Sequence, residues 1–481
     1  MSTSTTTLED PVVRPSQDDP VAGVVNALGG PPGRHTSSAP RSFWRPVRVI
    51  VALTLLACAL GFWQKSPCRD HAWAENYQYT RACYNDPFPL YGARGFAGEG
   101  LPYVDNTLEY PVLIGGMMHV AAEAVEGFDP AQRGKRFFDV TALMMTAFAV
   151  VVAITTTRLA GRRRPWDAVL FAAAPGLVLT VFNNWDMAAA AFVGLGMLAW
   201  ARKHPAWAGI AFGLGAATKL YPALLLGPLI LLCIRAGKVK EVAGAVGTAA
   251  LAWAVVNVPV AVAAPEGWRE FYSFSSERGA DWGSLWYFHQ YLRGPLDVGL
   301  AEGEAPHTLN TLASGLFLLA CIGIAVLVLR APQRPRVAQV LFLTLLAFML
   351  TNKVFSPQFV IWLLPLAVLA RPRWRTFLLW QATEAIAFFA IWYYLIHIGD
   401  QNQGISDGWY FAALLLRDAA LLLFAARVVH EVMRPDKDVV RRDGVDDPAG
   451  GVLDGAPDWA PLKPLLGKPR SAAQQVPAPV S

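Results

Sequence analysis

The sequence predicts an all-α polytopic membrane protein, and three observations carry that reading: an apolar composition, the length of the apolar runs, and the placement of basic residues between them. Of 481 residues, 54% are hydrophobic and only 16% are charged, against roughly 25% charged in a soluble domain. The apolar residues gather in blocks, among them Val47–Trp63, Phe137–Leu159, Val242–Ala264, Thr308–Leu329 and Gly408–Val429. A bilayer core takes about 20 apolar residues per helix. Open backbone cannot survive in lipid, so a bundle of hydrogen-bonded helices is expected.

Net charge is +5, and its distribution is more informative than its sum. Arg and Lys concentrate in cytoplasmic loops. Clusters at Arg162–Arg164, at Arg202 and Lys203, at Arg235 with Lys238 and Lys240, at Arg330 with Arg334 and Arg336, and at Arg371 with Arg373 and Arg375 each follow an apolar block. Between them lie polar stretches without basic clusters: Asn183–Asp186, Glu266–His307, Asn352–Gln358 and His397–Asp407. A bundle of about twelve spans (roughly 11–13) with both termini cytoplasmic satisfies this alternation. It takes Tyr110–Val125 as a short interfacial helix and splits Trp207–Ile234 into two short spans that turn near Lys219–Pro222. It leaves Arg133, Lys135 and Arg136 outside. The opposite orientation would expose Arg162–Arg164, Arg202 and Lys203 instead.

In chain order, residues 1–45 are rich in Ser, Thr, Pro, Gly and Asp and read as a disordered cytoplasmic tail. The first apolar block is long enough to span and is expected to stay as a signal anchor. A transmembrane domain over 46–430 follows, with a long first extracytoplasmic loop at 64–136 and a second at 265–307. Residues 431–481 read as a second disordered cytoplasmic tail. No fixed-period internal repeat is visible, which disfavours a transporter built from two related halves. Cys58, Cys233 and Cys321 fall inside apolar blocks, whereas Cys68 and Cys83 sit in the first polar loop. Those two form either an extracytoplasmic disulfide or a pair of free thiols. Membrane lipids are expected partners, and nucleic acid is not.

The first loop is dense in aromatic, acidic and glycine residues, and loops of this length are usually functional or disordered. A carboxylate beside the first span could serve as a base for a hydroxyl group near the bilayer surface. Asp86, Asp105 and Glu109 are the candidates, and each reads equally as a solvated loop carboxylate or turn former. Lys219 lies in an otherwise apolar run, where an ionisable residue costs about 2.5 kcal/mol or more; it is either functional or a lysine snorkelling from a helix end. Lys353, flanked by Asn352 and Ser356, reads as a second cation site or an interfacial anchor. Asp186, beside Asn183 and Asn184, binds a ligand or caps a helix. The loop from Pro265 to His307 carries Trp268, Trp282, Trp286, Tyr287, His289 and Tyr291, as sugar-stacking faces or as an interfacial belt; His289 and Asp281 are its sharpest candidates. Arg417, Asp418 and Glu384 are expected to pair inside the bundle.

CYNDPFPLY, GLPYVDN and EYPVL in the first loop resemble the D-x-x-x-Y, G-x-P-x-Y and Y-P-P-L elements of GT-C glycosyltransferases, particularly glycosyltransferase family 87. The resemblance continues in WAGIAFGLGAATKLYPALLLGPLILL and in NKVFSPQFVIWLLPL, so it spans most of Asp86 to Pro365. Two departures stand out: Asn183-Asn184-Trp185-Asp186 replaces a common Gly-Gln-x-Asn turn, and the Asp86-to-Tyr91 spacing is one residue longer. The resemblance implies a GT-C-like bundle whose first-loop Asp, here Asp86, is the catalytic base. It implies a polyprenyl-phosphate sugar donor, mannose or arabinose, a glycolipid or envelope glycan acceptor, no cofactor and no obligatory metal. Lys219 and Lys353 are then the candidates for the donor phosphate. Tyr91, Tyr103, Glu109, Tyr110, Asn184, Asp186, Asp281, His289, Asn352, Ser356 and Gln358 are the candidates for substrate binding. A flippase for lipid-linked saccharides would use such a cavity without chemistry, and a non-catalytic scaffold in an envelope complex is the third reading.

Overall fold

A computed structural model describes residues 45–74, 76–98, 100–292 and 306–465. Regular structure among them is helical, apart from one isolated bridge between Pro102 and Asn106. Five helices are long and apolar enough to cross a membrane: Pro46–Asp70, Pro130–Leu159, Val239–Ala263, His307–Arg330 and Trp374–Gly399. Shorter apolar helices lie between them, including Val112–Glu123, Asp186–Ala201, Pro205–Ala216, Val337–Thr351 and Pro357–Ala370. A further long helix, Asp407–Met433, carries Arg417 and Asp418 in its interior. Pro46, Pro87, Pro130, Pro175, Pro205 and Pro265 each open a helix, where the missing N–H would have had no intrahelical acceptor.

Pro205–Ala216 packs on Val239–Ala263 in the same direction, Gly209 facing Ala245 and Gly213 facing Ala249, whereas Trp374–Gly399 and Asp407–Met433 run antiparallel, Tyr394 meeting Tyr410 and Trp380 meeting Phe424. The first pair is close because glycine permits it. A Cβ on Gly209 would stand 2.0 Å from the Ala245 carbonyl oxygen, and one on Gly213 2.2 Å from that of Ala249. Small residues at a helix interface allow such approach, and dispersion then holds the pair without a solvent-driven term. Outward-facing Leu251, Val255, Val262, Leu318 and Leu319 are exposed, an exterior suited to lipid rather than water.

The bundle has two distinguishable polar ends. At one, Arg69 at the end of the first long helix pairs with Asp139 near the start of the next, 2.6 Å apart, and Cys68 is joined to Cys83. At the other, the C-terminal segment crosses the helix ends. Residues 435–465 form a series of 3-10 turns, so the expectation of a structureless tail from 431 does not hold there; 466–481, like 1–44, lie outside the described residues. The cause is long-range pairing. Arg336 and Asp438 meet at 2.7 Å with both side chains buried, and Arg235 meets Asp458 at 2.8 Å. Trp200 Nε1 donates to the Gly450 carbonyl at 2.9 Å.

The bounds of the first loop also shift. The first helix continues through Gln64, Lys65 and Arg69 to Asp70, because each of these polar side chains finds a partner: Ala82 O, Tyr84 O and Asp139. The next long helix starts at Pro130, capped by the Asp129 side chain. Within the loop, Val112–Glu123 is a helix of 12 residues. Between Pro205–Ala216 and Tyr221–Leu224 the chain turns at residues 217–220.

Candidate functional site

Asp86 sits at the entry to the short helix Pro87–Ala93. Its backbone N–H donates to the Asn183 carbonyl at 2.8 Å, which ties the first loop to the 183–186 turn. The Tyr84 hydroxyl donates to Oδ1 at 2.6 Å. Asn184 Nδ2 donates to Oδ2 at 2.5 Å and also lies 2.9 Å from the Tyr110 hydroxyl, which itself is 3.4 Å from Oδ2. Burial pushes the Asp86 carboxyl above the ordinary carboxylate range; the Tyr84 bond, the Lys219 charge and the Asn184 bond oppose the rise, and Asp186 adds to it. A carboxylate so placed is a better proton acceptor than a solvated one. Burial, then the Asp86 charge, also raises the Tyr84 and Tyr110 hydroxyls, so both phenols act as neutral donors.

One step further along the turn, Asp186 Oδ1 accepts from Trp362 Nε1 at 2.8 Å and faces Lys219 Nζ at 3.6 Å. The Lys219 ammonium lies 4.9 Å from the centre of the Tyr110 ring. Asp186 is the first residue of the helix Asp186–Ala201, whose N-cap is Trp185, and its Oδ1 is engaged by Lys219 and Trp362. Tyr221 and Phe359 stack on Trp362, with centroids 4.4 and 3.8 Å away. Sequence reasoning thus nominated Asp86, Tyr110, Asn184, Asp186 and Lys219, and the fold brings these five together.

Lys65 was missed. Fully buried, its ammonium donates to Tyr84 O at 2.8 Å and Asn183 Oδ1 at 2.6 Å, stitching the same two segments from behind. Tyr84 and Trp362 were missed as well. The only sequence signal for Lys65 is a cation at the edge of an apolar block, which reads as an interfacial anchor.

The remaining candidates lie elsewhere. Glu109 is held by Arg94 through contacts of 2.6 and 2.9 Å. Asp105 closes a turn by accepting from Leu101 N at 2.8 Å. Tyr103 donates to the Tyr110 and Pro111 carbonyls at 2.9 and 2.8 Å and so props the backbone beside Tyr110 rather than entering the cluster. Tyr91 packs on Phe137, with ring centroids 5.1 Å apart. Asn352 closes its own turn onto Val354 O at 3.0 Å, Ser356 precedes the 3-10 turn Pro357–Phe359, and Gln358 is buried in it. His289 is half-buried in the helix Leu285–Tyr291, and its Nδ1 has no partner. Asp281 pairs with Arg278 at 2.8 Å, and its N–H donates to Lys353 O at 2.8 Å. Arg417 pairs with Asp418 at 2.9 Å, whereas Glu384 accepts from Trp380. Among the described residues, no three His, Cys, Asp or Glu side chains are grouped as a metal site would require.

Fold and cluster together define an integral membrane protein with a carboxylate-centred polar site at one end of a helical bundle. Residues 135–357 match the sequence model of glycosyltransferase family 87, and this match supports a membrane glycosyltransferase. The matched span contains Asn184, Asp186, Lys219 and Lys353 and begins after Asp86. No curated protein matches the sequence.

Proposed function

We propose that the protein is a GT-C-like transferase of about twelve spans with cytoplasmic termini, which moves a sugar from a polyprenyl-phosphate donor to a lipid-linked or envelope glycan acceptor in the cell membrane. The observation that carries this reading is Asp86: a half-buried carboxylate gripped by Tyr84, Tyr110 and Asn184. In the reaction, Asp86 takes the proton of an acceptor hydroxyl. That oxygen forms a bond to the anomeric carbon as the bond from this carbon to the phosphate oxygen breaks on the opposite face. The electron pair leaves with the lipid phosphate, and configuration inverts, so a β-linked donor gives an α product. Charge developing at the sugar resembles that in glycoside hydrolysis, but a phosphate leaves with little need of protonation. Its need is fixed positive charge, for which Lys219 and Lys353 are the cations named by the sequence. A mannosyl or arabinosyl donor fits the family resemblance.

Purified protein and its Asp86→Asn variant, incubated with radiolabelled polyprenyl-phosphate sugar and an envelope lipid extract, test this reading. Transfer by the wild type and its loss in the variant are expected. Equal transfer by both, or none by either while lipid-linked substrate still crosses vesicles, contradicts it, the last in favour of a flippase.

A further inference from the structure

Positive charge is partitioned unevenly between the two polar clusters at the Asp86 end. Around the carboxylate, two ammonium groups meet two carboxylates. Lys65 lies within electrostatic reach of Asp86, and Lys219 stands 3.6 Å from Asp186 with the Tyr110 ring beneath it. Lys219 is thus committed to a buried partner, and the group as a whole is close to neutral. A lipid phosphate arriving there would find no surplus charge, and drawing Lys219 away would leave Asp186 buried and unpaired, a change that costs several kcal/mol in comparable buried pairs.

The neighbouring cluster has the opposite balance. Arg278, at the end of the helix Pro265–Glu277, pairs with Asp281 at 2.8 Å. The Asp281 N–H donates to Lys353 O at 2.8 Å, and Lys353 Nζ donates to Ser276 O at 3.0 Å. Among the described residues the cluster therefore holds two cations and one carboxylate, which pairs with Arg278 rather than with Lys353. Lys353 is held down to about 8, by burial first and by the Arg278 charge second, the nearby like charge adding to the effect of desolvation. The Arg278 side chain is 39% exposed, so its guanidinium is open to an incoming anion. Its field also reaches Tyr84, the donor of the 2.6 Å bond to Asp86, so the two clusters adjoin.

This second cluster stands on a fixed platform. Gly283 lies so close to Phe355 that a Cβ would stand 2.1 Å from its carbonyl oxygen. The Gly283 carbonyl accepts from Arg417 at 2.8 Å, and Trp282 O accepts from the Tyr410 hydroxyl at 2.7 Å. Trp286 Nε1 donates to Thr351 O at 2.9 Å. A guanidinium anchored in this way offers a planar fork to phosphate oxygens, with an ammonium as a point charge beside it.

We infer that Arg278 together with Lys353, and not Lys219, receives the phosphate of the lipid donor; the inference rests on the transferase reading above and assigns its phosphate site. Lys219 then serves the carboxylate side, neutralising Asp186 beside the base. Attack at the anomeric carbon would run from the Asp86 side, with the departing phosphate drawn toward the Arg278 side, as inversion requires.

The test uses the full chain in nanodiscs of zwitterionic lipid, with polyprenyl phosphate lacking a sugar as the probe. Its dissociation constant, and its inhibition constant against sugar transfer, are measured for the wild type, Arg278→Gln, Arg278→Lys, Lys353→Gln and Lys219→Gln, with thermal unfolding confirming that each variant is folded. Arg278→Gln and Lys353→Gln should each weaken the probe about tenfold or more, the loss of a charge-assisted contact. Arg278→Lys should recover part of that loss, and Lys219→Gln should bind within about threefold of wild type. Equal binding by wild type, Arg278→Gln and Lys353→Gln overturns the inference, as does a loss in Lys219→Gln as large as theirs. If the expected pattern of binding is found but no protein transfers sugar, the transferase reading fails and the phosphate site stands. Transfer by the wild type without that pattern has the reverse meaning.

Discussion

The two ends of the bundle both bury charge, but they treat it differently. At the end crossed by the C-terminal segment, Arg336 is satisfied by Asp438 and by the carbonyls of Leu369 and Ala370, at 2.7, 2.7 and 2.6 Å. Arg334 reaches the carbonyls of Leu453 and Ala456 at 2.5 and 2.9 Å, and Asp447 accepts from Val337 N at 2.7 Å. Among the described residues there, Glu431 Oε2 is buried without a partner. At the Asp86 end, Asn85 Nδ2, Asn183 Nδ2, Trp185 Nε1, Asp186 Oδ2 and Tyr221 Oη are all buried without a partner. Buried polar groups in folded proteins are ordinarily paired, and each exception calls for a cause. Closed networks hold helix ends together; under the proposed function the open one is where substrate would supply the missing partners.

Variants at each end separate these roles. The largest effect on stability is expected from Arg336→Met, which leaves Asp438 buried without its cation and should cost about 3–5 kcal/mol. Thermal unfolding measures this loss, while the folded fraction should keep wild-type kcat and donor KM. A fall in kcat with unchanged unfolding would erase the distinction between the ends. Next in size is Lys65→Met, which removes the bonds that hold Tyr84 and Asn183 in register. Two bonds of the charged type at about 1.5 kcal/mol each predict roughly a hundredfold fall in kcat, with donor KM little changed and partial rescue by Lys65→Arg.

Tyr84→Phe should have a smaller and more specific effect. The Tyr84 bond holds the Asp86 carboxyl down against the rise caused by burial, so its loss moves the carboxyl further up. Since the base must be ionised, the acid limb of the kcat/KM profile, already above the ordinary carboxylate range, should move to higher pH by about one unit, the value of one such bond. An unmoved limb would mean that Asp86 does not govern it. Smallest is Tyr91→Phe, where the ring stays packed on Phe137 and activity should remain within about twofold, separating the motif tyrosine that packs from Tyr110, which touches the site.

Local pattern made the helical membrane class legible, because run length and composition are properties of short windows. It also nominated Asp86, Asn184 and Lys219, since polar residues beside or within apolar runs are conspicuous. Lys65 and Arg278 escaped because cations at helix ends are common and their partners come from other segments: Lys65 meets Asn183 across a separation of 118 residues. The C-terminal segment escaped for the same reason. Its composition reads as a solvated tail, and its order comes from pairs such as Arg336 with Asp438, which are 102 residues apart.

The most direct test sets the two ends against each other in one transfer assay, with Asp86→Asn beside Asp438→Asn. Each exchange removes a hydrogen-bonded carboxylate and retains its shape. If the Asp86 end performs the chemistry, Asp86→Asn should lower sugar transfer by about a hundredfold or more without loss of thermal stability, while Asp438→Asn should lower the unfolding temperature and leave kcat of the folded protein intact. Full transfer by Asp86→Asn, or an equal loss of kcat in both, would contradict the account.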